Sequence, residues 1–278
     1  MSKYDPTFTV KKLYDDTYSI SDSGLGQGPV FMYLLVGSHK ALLIDSGYGL
    51  LDLPKAVATV TDKEVICICT HGHVDHALGA RQFTESYLHS SDFDVYTRHT
   101  DAEFLRDVCN KGILMSPPKS MLNHPNYQRN AEQLSGAVYP PLLPLDGVEQ
   151  FDLGDRVITW RPVPGHTPGS IAVIDEANHT VFDGDSAPVG AWLFLDESSP
   201  LPDYMAVLQD YLQFCEDKAI TKRYAGHSGL PMSVKNLRQL IRCVQIAHAN
   251  PKKGIKVKSF LGDARIVFAG GSMFFCGR

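Results

Sequence analysis

Residues Glu64–His76 read EVICICTHGHVDH, and the join inside that stretch decides the fold. Val65–Cys69 is an unbroken apolar run rich in β-branched residues, the pattern of a strand buried on both faces. The polar string that follows, beginning at Thr70, carries His71, His73, Asp75 and His76. With eleven histidines in 278 residues, HxHxDH has a chance expectation on the order of 10⁻³ in such a chain. Residues two apart in an extended turn point the same way. His71 and His73 can therefore reach one ion, with Gly72 leaving room between them. Asp75 and His76 open the next helix and are directed elsewhere, toward a second ion. Imidazole and carboxylate without thiolate suit Zn²⁺, and also Fe or Mn.

Upstream of the run, FTVKKLY, VFMYLLVG and KALLIDSG read as strands of one antiparallel-leaning sheet. A helical pattern then covers Leu51 to Val60. Downstream, ALGARQF reads as a short helix, DVYTR as a strand and DAEFLRDVC as a helix. From about 111 to 144 the chain holds SPPKS, NHPNY and YPPLLP, too proline-rich for a central strand or a long helix. That segment is expected to be a surface insertion or lid. Strand signals resume in RVITWRPV, SIAVID and TVFDGD. Two helices follow, one over Asp203–Asp217 and one from Ser233, a candidate N-cap, to Asn250-Pro251. The tail to Cys276, with turns at Gly262-Asp263 and Gly270-Gly271, predicts a strand meander. Two mixed halves, each with its own sheet, predict an α/β architecture.

Three further strand ends carry ligand chemistry: His166 in PVPGHTPGS, Asp183 and Asp185 in VFDGDS, and His227 in RYAGHSGLP. The set THGHVDH, GHTPGS, DGDS and AGHSG resembles the metallo-β-lactamase superfamily, in particular glyoxalase II-like binuclear metallohydrolases. The similarity runs in the family's order from about Phe31 to Ser228. It implies an αββα four-layer sandwich of two mixed sheets flanked by helices, with 1–278 as a single domain carrying the proline-rich insertion.

The same resemblance implies one metal on His71, His73 and His166, a second on Asp75, His76 and His227, and Asp185 bridging the two. Asp45, in LLIDSG, corresponds to an aspartate that supports the histidine loop, whereas Asp183 is read as structural. Two divalent ions, most simply Zn²⁺, with a bridging hydroxide would act by Lewis-acid catalysis, and Asp75 would handle the proton. The expected reaction is hydrolysis of an ester, thioester or lactone bond in a small molecule. Pro188 stands where homoserine-lactone lactonases carry a tyrosine, which weighs against that substrate. The alternatives are an oxidoreductase like the persulfide dioxygenases, with one iron on His71, His166 and Asp185, and a phosphodiesterase or ribonuclease-type metallohydrolase. Candidate pocket residues are Tyr48, His124, Tyr127, Trp192 and Phe194. His39, His89, His99, His179 and His248 are read as surface or helix residues.

Composition narrows the partners. The chain has 26 basic and 31 acidic residues for a net charge of −5, and no basic block exceeds Lys252-Lys253, so nucleic acid is not an expected partner. The first residues lack a basic start followed by an apolar run, and no stretch approaches 18 apolar residues. Neither a signal peptide nor a membrane span is expected, which makes the cytoplasm the default location. The six cysteines read as buried thiols, with Cys67 and Cys69 sharing one strand face. Oligomeric state leaves no trace in the sequence.

Overall fold

In the computed structural model, which describes residues 7–23, 29–110, 125–259 and 262–276, the apolar run is strand β5 (Glu64–Ile68). It lies parallel between β4 (Lys40–Ile44) and β6 (Ser86–Leu88). Its side chains alternate as the pleat requires. Ile66 and Ile68 face a core with Tyr33, Leu35, Leu42 and Ile44, whereas Cys67 and Cys69 face the opposite layer with Leu43, Leu53 and Val57. Burial on both faces is why no polar residue interrupts the run.

The first sheet has the order β1 (Thr7–Tyr14), β2 (Thr17–Ser23), β3 (Phe31–Val36), β4, β5, β6, β7 (Leu143–Pro144). Its first four strands pair antiparallel, as their turn-punctuated sequence predicts, and it turns parallel at β4. Helix α1 (Leu53–Val57) makes that crossover, started by Asp52, whose carboxylate accepts the Lys55 N–H at 3.0 Å.

The second sheet is built from β8 (Gln150–Asp152), β9 (Val157–Pro162), β10 (Ile171–Asp175), β11 (Thr180–Gly184), β13 (Lys222–Ala225) and β14 (Ser228–Met232), in the order β14-β13-β11-β10-β9-β8. Ile158, Ile171, Val173, Phe182 and Tyr224 pack from it against the first sheet. Its other face, with Ala172, Ile174 and Val181, is covered by α6 (Leu201–Asp217) and α7 (Val234–Ala249). The layers are thus helix, sheet, sheet, helix. Truncating a fully buried inter-sheet residue such as Leu42 to alanine should cost about 2–5 kcal/mol. Helix α7 begins where its sequence signals it, with Ser233 and Asn236 forming a capping box, and stops at Asn250.

One expectation needs correction, and two others gain detail. DVYTR is not a strand: it lies in helix α3 (Phe93–His99). Its β-branched and aromatic residues are strand-like, yet Val95 and Tyr96 bury themselves from a helix, so tertiary packing overrides local propensity. The strand of that region is β6, only three residues long and too short to show a period. The proline-rich stretch does hold a helix of three turns, α5 (Pro125–Gly136), because proline is confined to its first position. Leu134 packs it against Leu105, Val108 and Cys109 of α4 (Ala102–Asn110). Residues 111–124 of the insertion lie outside the described residues, and its last two, Leu143–Pro144, form β7. Finally, the tail meander of β15 (Ile255–Ser259), β16 (Gly262–Ala269) and β17 (Ser272–Cys276) joins neither main sheet. It forms a third, smaller sheet with β12 (Gly190–Leu193), paired parallel to β17. All six cysteines are buried, and none forms a disulfide.

Candidate metal centre

The ligand candidates sit where strands of both sheets end. Asp45, just past β4, takes a left-handed conformation with φ 62°, which aspartate tolerates better than most residues. That turn aims its carboxylate back under the histidine loop. Oδ1 accepts the Thr70 N–H at 2.7 Å, and Oδ2 accepts Nδ1–H of His76 at 2.8 Å. The Thr70 hydroxyl donates to the same carboxylate at 2.9 Å and lies 3.1 Å from Nδ1 of His71, whose N–H it accepts. Asp45 therefore sets the tautomers of both His76 and His71, directly and through Thr70.

The other rings are oriented the same way. His73 begins helix α2 (Val74–Ala77) as its N-cap residue, and its Nε2 lies 2.7 Å from a carboxylate oxygen of Glu197. His166 gives Nδ1–H to the Trp192 carbonyl at 2.9 Å. Carboxylates and carbonyls only accept, so the inward nitrogens carry lone pairs. Nδ1 of His73 then lies 3.1 Å from Nε2 of His71 and 3.0 Å from Nε2 of His166. Lone pairs crowded this closely repel unless a cation lies among them.

Beside this trio, Nε2 of His227 lies 3.3 Å from Asp75 Oδ2 and 3.2 Å from Asp185 Oδ2. Asp185 Oδ2 is also 3.7 Å from Nε2 of His76 and 3.8 Å from Nε2 of His166, so it stands between the two groups. Two buried atoms at this junction, Nε2 of His76 and Oδ1 of Asp185, have no hydrogen-bond partner. Orphaned buried polar atoms are costly, and Nε2 of His76 faces the Oδ2 atoms of Asp75 and Asp185 at 3.8 and 3.7 Å. The donor set fits a pair of divalent ions, one on His71, His73 and His166 and one on Asp75, His76 and His227.

Electrostatics separates the halves. Burial, then repulsion from its neighbouring histidines, drives His71 well below the usual imidazole range, and the same causes lower His166 to about 4. Both are neutral at physiological pH, the form that binds metal. Burial would raise the carboxyls of Asp75 and Asp185, but the imidazoles of His76 and His227 outweigh it and hold both far below the usual range. Conversely, burial disfavours charge on His76, yet Asp45, Asp75 and Asp185 raise it to about 9. The trio is sealed, with His71 1% and His166 3% exposed. The His227 side chain is 44% exposed, so the centre opens on that side.

Two supports hold the loops. Asp92, fully buried, accepts N–H from Gly72 at 2.7 Å and from Gly169 at 2.6 Å, and the Thr167 hydroxyl at 2.7 Å. A Cβ on Gly169 would lie 2.7 Å from the Asp92 nitrogen, which explains that glycine. Behind Asp185, Asp183 accepts from Arg223 Nε at 2.9 Å in a fully buried ion pair, and Arg223 also reaches the Ala187 carbonyl. Asp183 is structural, as its sequence position predicts.

The model of the metallo-beta-lactamase superfamily matches residues 25–90 and 100–227. The chain belongs to the metallo-β-lactamase superfamily. Among its superfamily relatives, the human protein named acyl-coenzyme A thioesterase MBLAC2 is 26% identical over 208 residues, covering 70% of this chain and 72% of that one. A probable metallo-hydrolase of Bacillus subtilis (strain 168), YflN, is 25% identical over 171 residues, 56% of this chain and 59% of that one. The solved DIM-1 metallo-beta-lactamase superposes with a TM-score of 0.59 at 14% identity, covering 86% of this chain and 98% of that one. A double mutant of the sec-alkyl sulfatase PisA1 gives 0.62 at 13% identity over 87% of this chain and 42% of that one. At such identities the structures speak for the fold.

Of the five pocket candidates in this superfamily member, Trp192 and Phe194 are half-buried with ring centroids 5.3 Å apart, beside the loop of His166. Tyr48 is half-buried, and burial with the charges of Asp75 and Asp22 pushes its phenol well above the usual range. His124 lies outside the described residues, and so does the side chain of Tyr127, although its backbone is in α5. The sequence does not single out Asp92, Glu197 or Arg98. His99, read as a surface or helix residue, is the last residue of helix α3, where its side chain is only 12% exposed and stacks on His73 at 4.8 Å. Nothing in the sequence marks Asp92, while Glu197 lies in AWLFLDESSP, the stretch that supplies Trp192 and Phe194.

Proposed function

We propose that the chain is a metal-dependent hydrolase that cleaves the thioester bond of a small acyl-carrier molecule such as an acyl-coenzyme A. The observation that carries this reading is the convergence of seven ligand candidates around two orphaned buried atoms. The likeness to acyl-coenzyme A thioesterases selects thioesters among the bonds such a centre can break. Ligands drawn from both sheets support reading 1–278 as one domain.

Divalent ions in these positions supply Lewis acidity, polarising a carbonyl and acidifying water. The chain's own residues do the rest. Substrate enters past the half-exposed His227 and past Asp75, while Trp192, Phe194 and Tyr48 wall the approach. Asp75, with its side chain 19% exposed beside the half-exposed His227, accepts at a carboxylate oxygen the proton of the attacking water and returns it to the departing sulfur. An Asp75→Asn protein that retains metal and full activity would sink that role.

The test is a panel of an acyl-coenzyme A, an N-acyl homoserine lactone, a carboxylic ester and a phosphodiester, assayed before and after chelation with elemental analysis alongside. Thioester cleavage that needs no oxygen, disappears on chelation and returns with Zn²⁺ is the expected result. Cleavage surviving complete metal removal, or one iron per chain with oxygen uptake, would overturn it.

A further inference from the structure

We infer that Glu197, braced by Arg98, is the positioning residue that makes His73 a ligand through Nδ1 and thereby sets the affinity of the ion site formed by His71, His73 and His166. The inference rests on the metal-centre reading above and concerns residues that reading does not use.

A histidine that must present Nδ1 needs its proton on Nε2, and something must keep it there. Glu197 does so with one carboxylate oxygen, 2.7 Å from Nε2. Its other oxygen is held by an Arg98 guanidinium nitrogen at 2.8 Å, so the carboxylate cannot swing away. His99, next to Arg98 in the last turn of α3, stacks on the His73 ring with planes 15° apart, which blocks rotation of the imidazole. The segment carrying Glu197 is pinned to the other ligand loop. Ser198 Oγ donates to the His166 carbonyl at 3.1 Å, Ser199 N–H donates to the Gly165 carbonyl at 2.8 Å, and the Trp192 carbonyl holds the His166 ring. One stretch, Trp192–Ser199, thus orients two of the three rings from outside. On the other half of the centre, His227 is half-exposed and its Nε2 faces Asp75 and Asp185.

The two ion sites are therefore unequal by construction, and Glu197 acts on one of them. Outer partners of this kind change metal affinity by about 10–100-fold.

The experiment is titration of the metal-free full chain with Co²⁺ and Zn²⁺ against a chromophoric chelator, with the Co²⁺ visible spectrum recorded at each equivalent. Wild type should take up two ions in two steps. Glu197→Ala should weaken the first step about 10–100-fold and change the one-equivalent Co²⁺ spectrum, leaving the second step nearly unmoved. Glu197→Gln, whose amide oxygen still accepts from Nε2, should recover most of the affinity and the wild-type spectrum. Arg98→Ala, at a side chain 45% exposed, should move the first step in the same direction as Glu197→Ala and keeps the test open should Glu197→Ala fail to fold. Unchanged binding in Glu197→Ala, or equal weakening of both steps, would overturn the role of Glu197 alone. A wild-type chain that takes up no ion would overturn the metal-centre reading with it.

Discussion

Replacing Asp92 with alanine should destabilise the metal-free chain by an amount that the geometry sets. The carboxylate is fully buried between two loops and satisfies two backbone amides, those of Gly72 and Gly169. Neither amide can move to water without parting the loops. An orphaned buried donor costs about 1–3 kcal/mol, so the pair costs on the order of 2–6 kcal/mol. The Thr167 hydroxyl is left out of that figure because Ser170 Oγ, 2.7 Å away, can take its hydrogen. Asparagine keeps one acceptor oxygen and turns an N–H₂ toward the other amide, so Asp92→Asn should fall short of wild type as well. Urea unfolding in the presence of a chelator measures this directly, since the midpoint shifts while the slope, which tracks surface exposed on unfolding, stays put. An Asp92→Ala protein within about 1 kcal/mol of wild type would refute the claim that this side chain clamps the two ligand loops.

Three other outcomes follow from the same contacts. Burial pushes the Asp22 carboxyl up to about 6, so its favourable contribution is complete below the ordinary value of 3.8 and is lost as pH rises through about 6. Asp22→Asn, which can still accept the Val30 N–H, should raise stability by up to about 3 kcal/mol at pH 7.5 and by much less near pH 4. Equal gains at both pH values in thermal melts would contradict it. Arg223→Leu leaves Asp183 buried without its partner and should cost about 3–5 kcal/mol, part of which a second change, Asp183→Leu, recovers; denaturant titration of both proteins decides. Gly226→Ala places a methyl 2.3 Å from His76 Cε1 and 2.9 Å from Asp185 Oδ1. It should lower metal content by one ion per chain, and two retained ions by elemental analysis would count against the placement of His76 and Asp185.

What could be read in the chain, and what could not, divides along sequence distance. Glu64–His76 announces itself because a buried strand has a continuous apolar signature and because metal ligands on one turn must be close neighbours. His166, Asp185 and His227 share the context of a tight turn after a strand, so they too stand out. Asp92 and Glu197 do not, because each acts on partners elsewhere in the chain. Asp92 meets Gly72 and Gly169, 20 and 77 residues away, and Glu197 meets His73 at a distance of 124 residues. No local pattern distinguishes such an aspartate from a solvated one. Helix α3 reads locally as a strand for the same reason: it carries Asp92 before one end and Arg98 with His99 at the other, and neither set of contacts is local. The third sheet escaped because the pairing of β12 with β17 joins segments some eighty residues apart.

That pairing carries a consequence in time. The seven ligand candidates are complete once His227 has been synthesised, yet the Trp192 carbonyl that orients His166 belongs to β12, whose partner β17 is Ser272–Cys276. A nascent chain lacking those residues has every ligand and an unbraced strand behind one of them. Metal capture should thus lag behind the appearance of the last ligand and follow the arrival of β17, which couples acquisition of the ion to synthesis of that later strand.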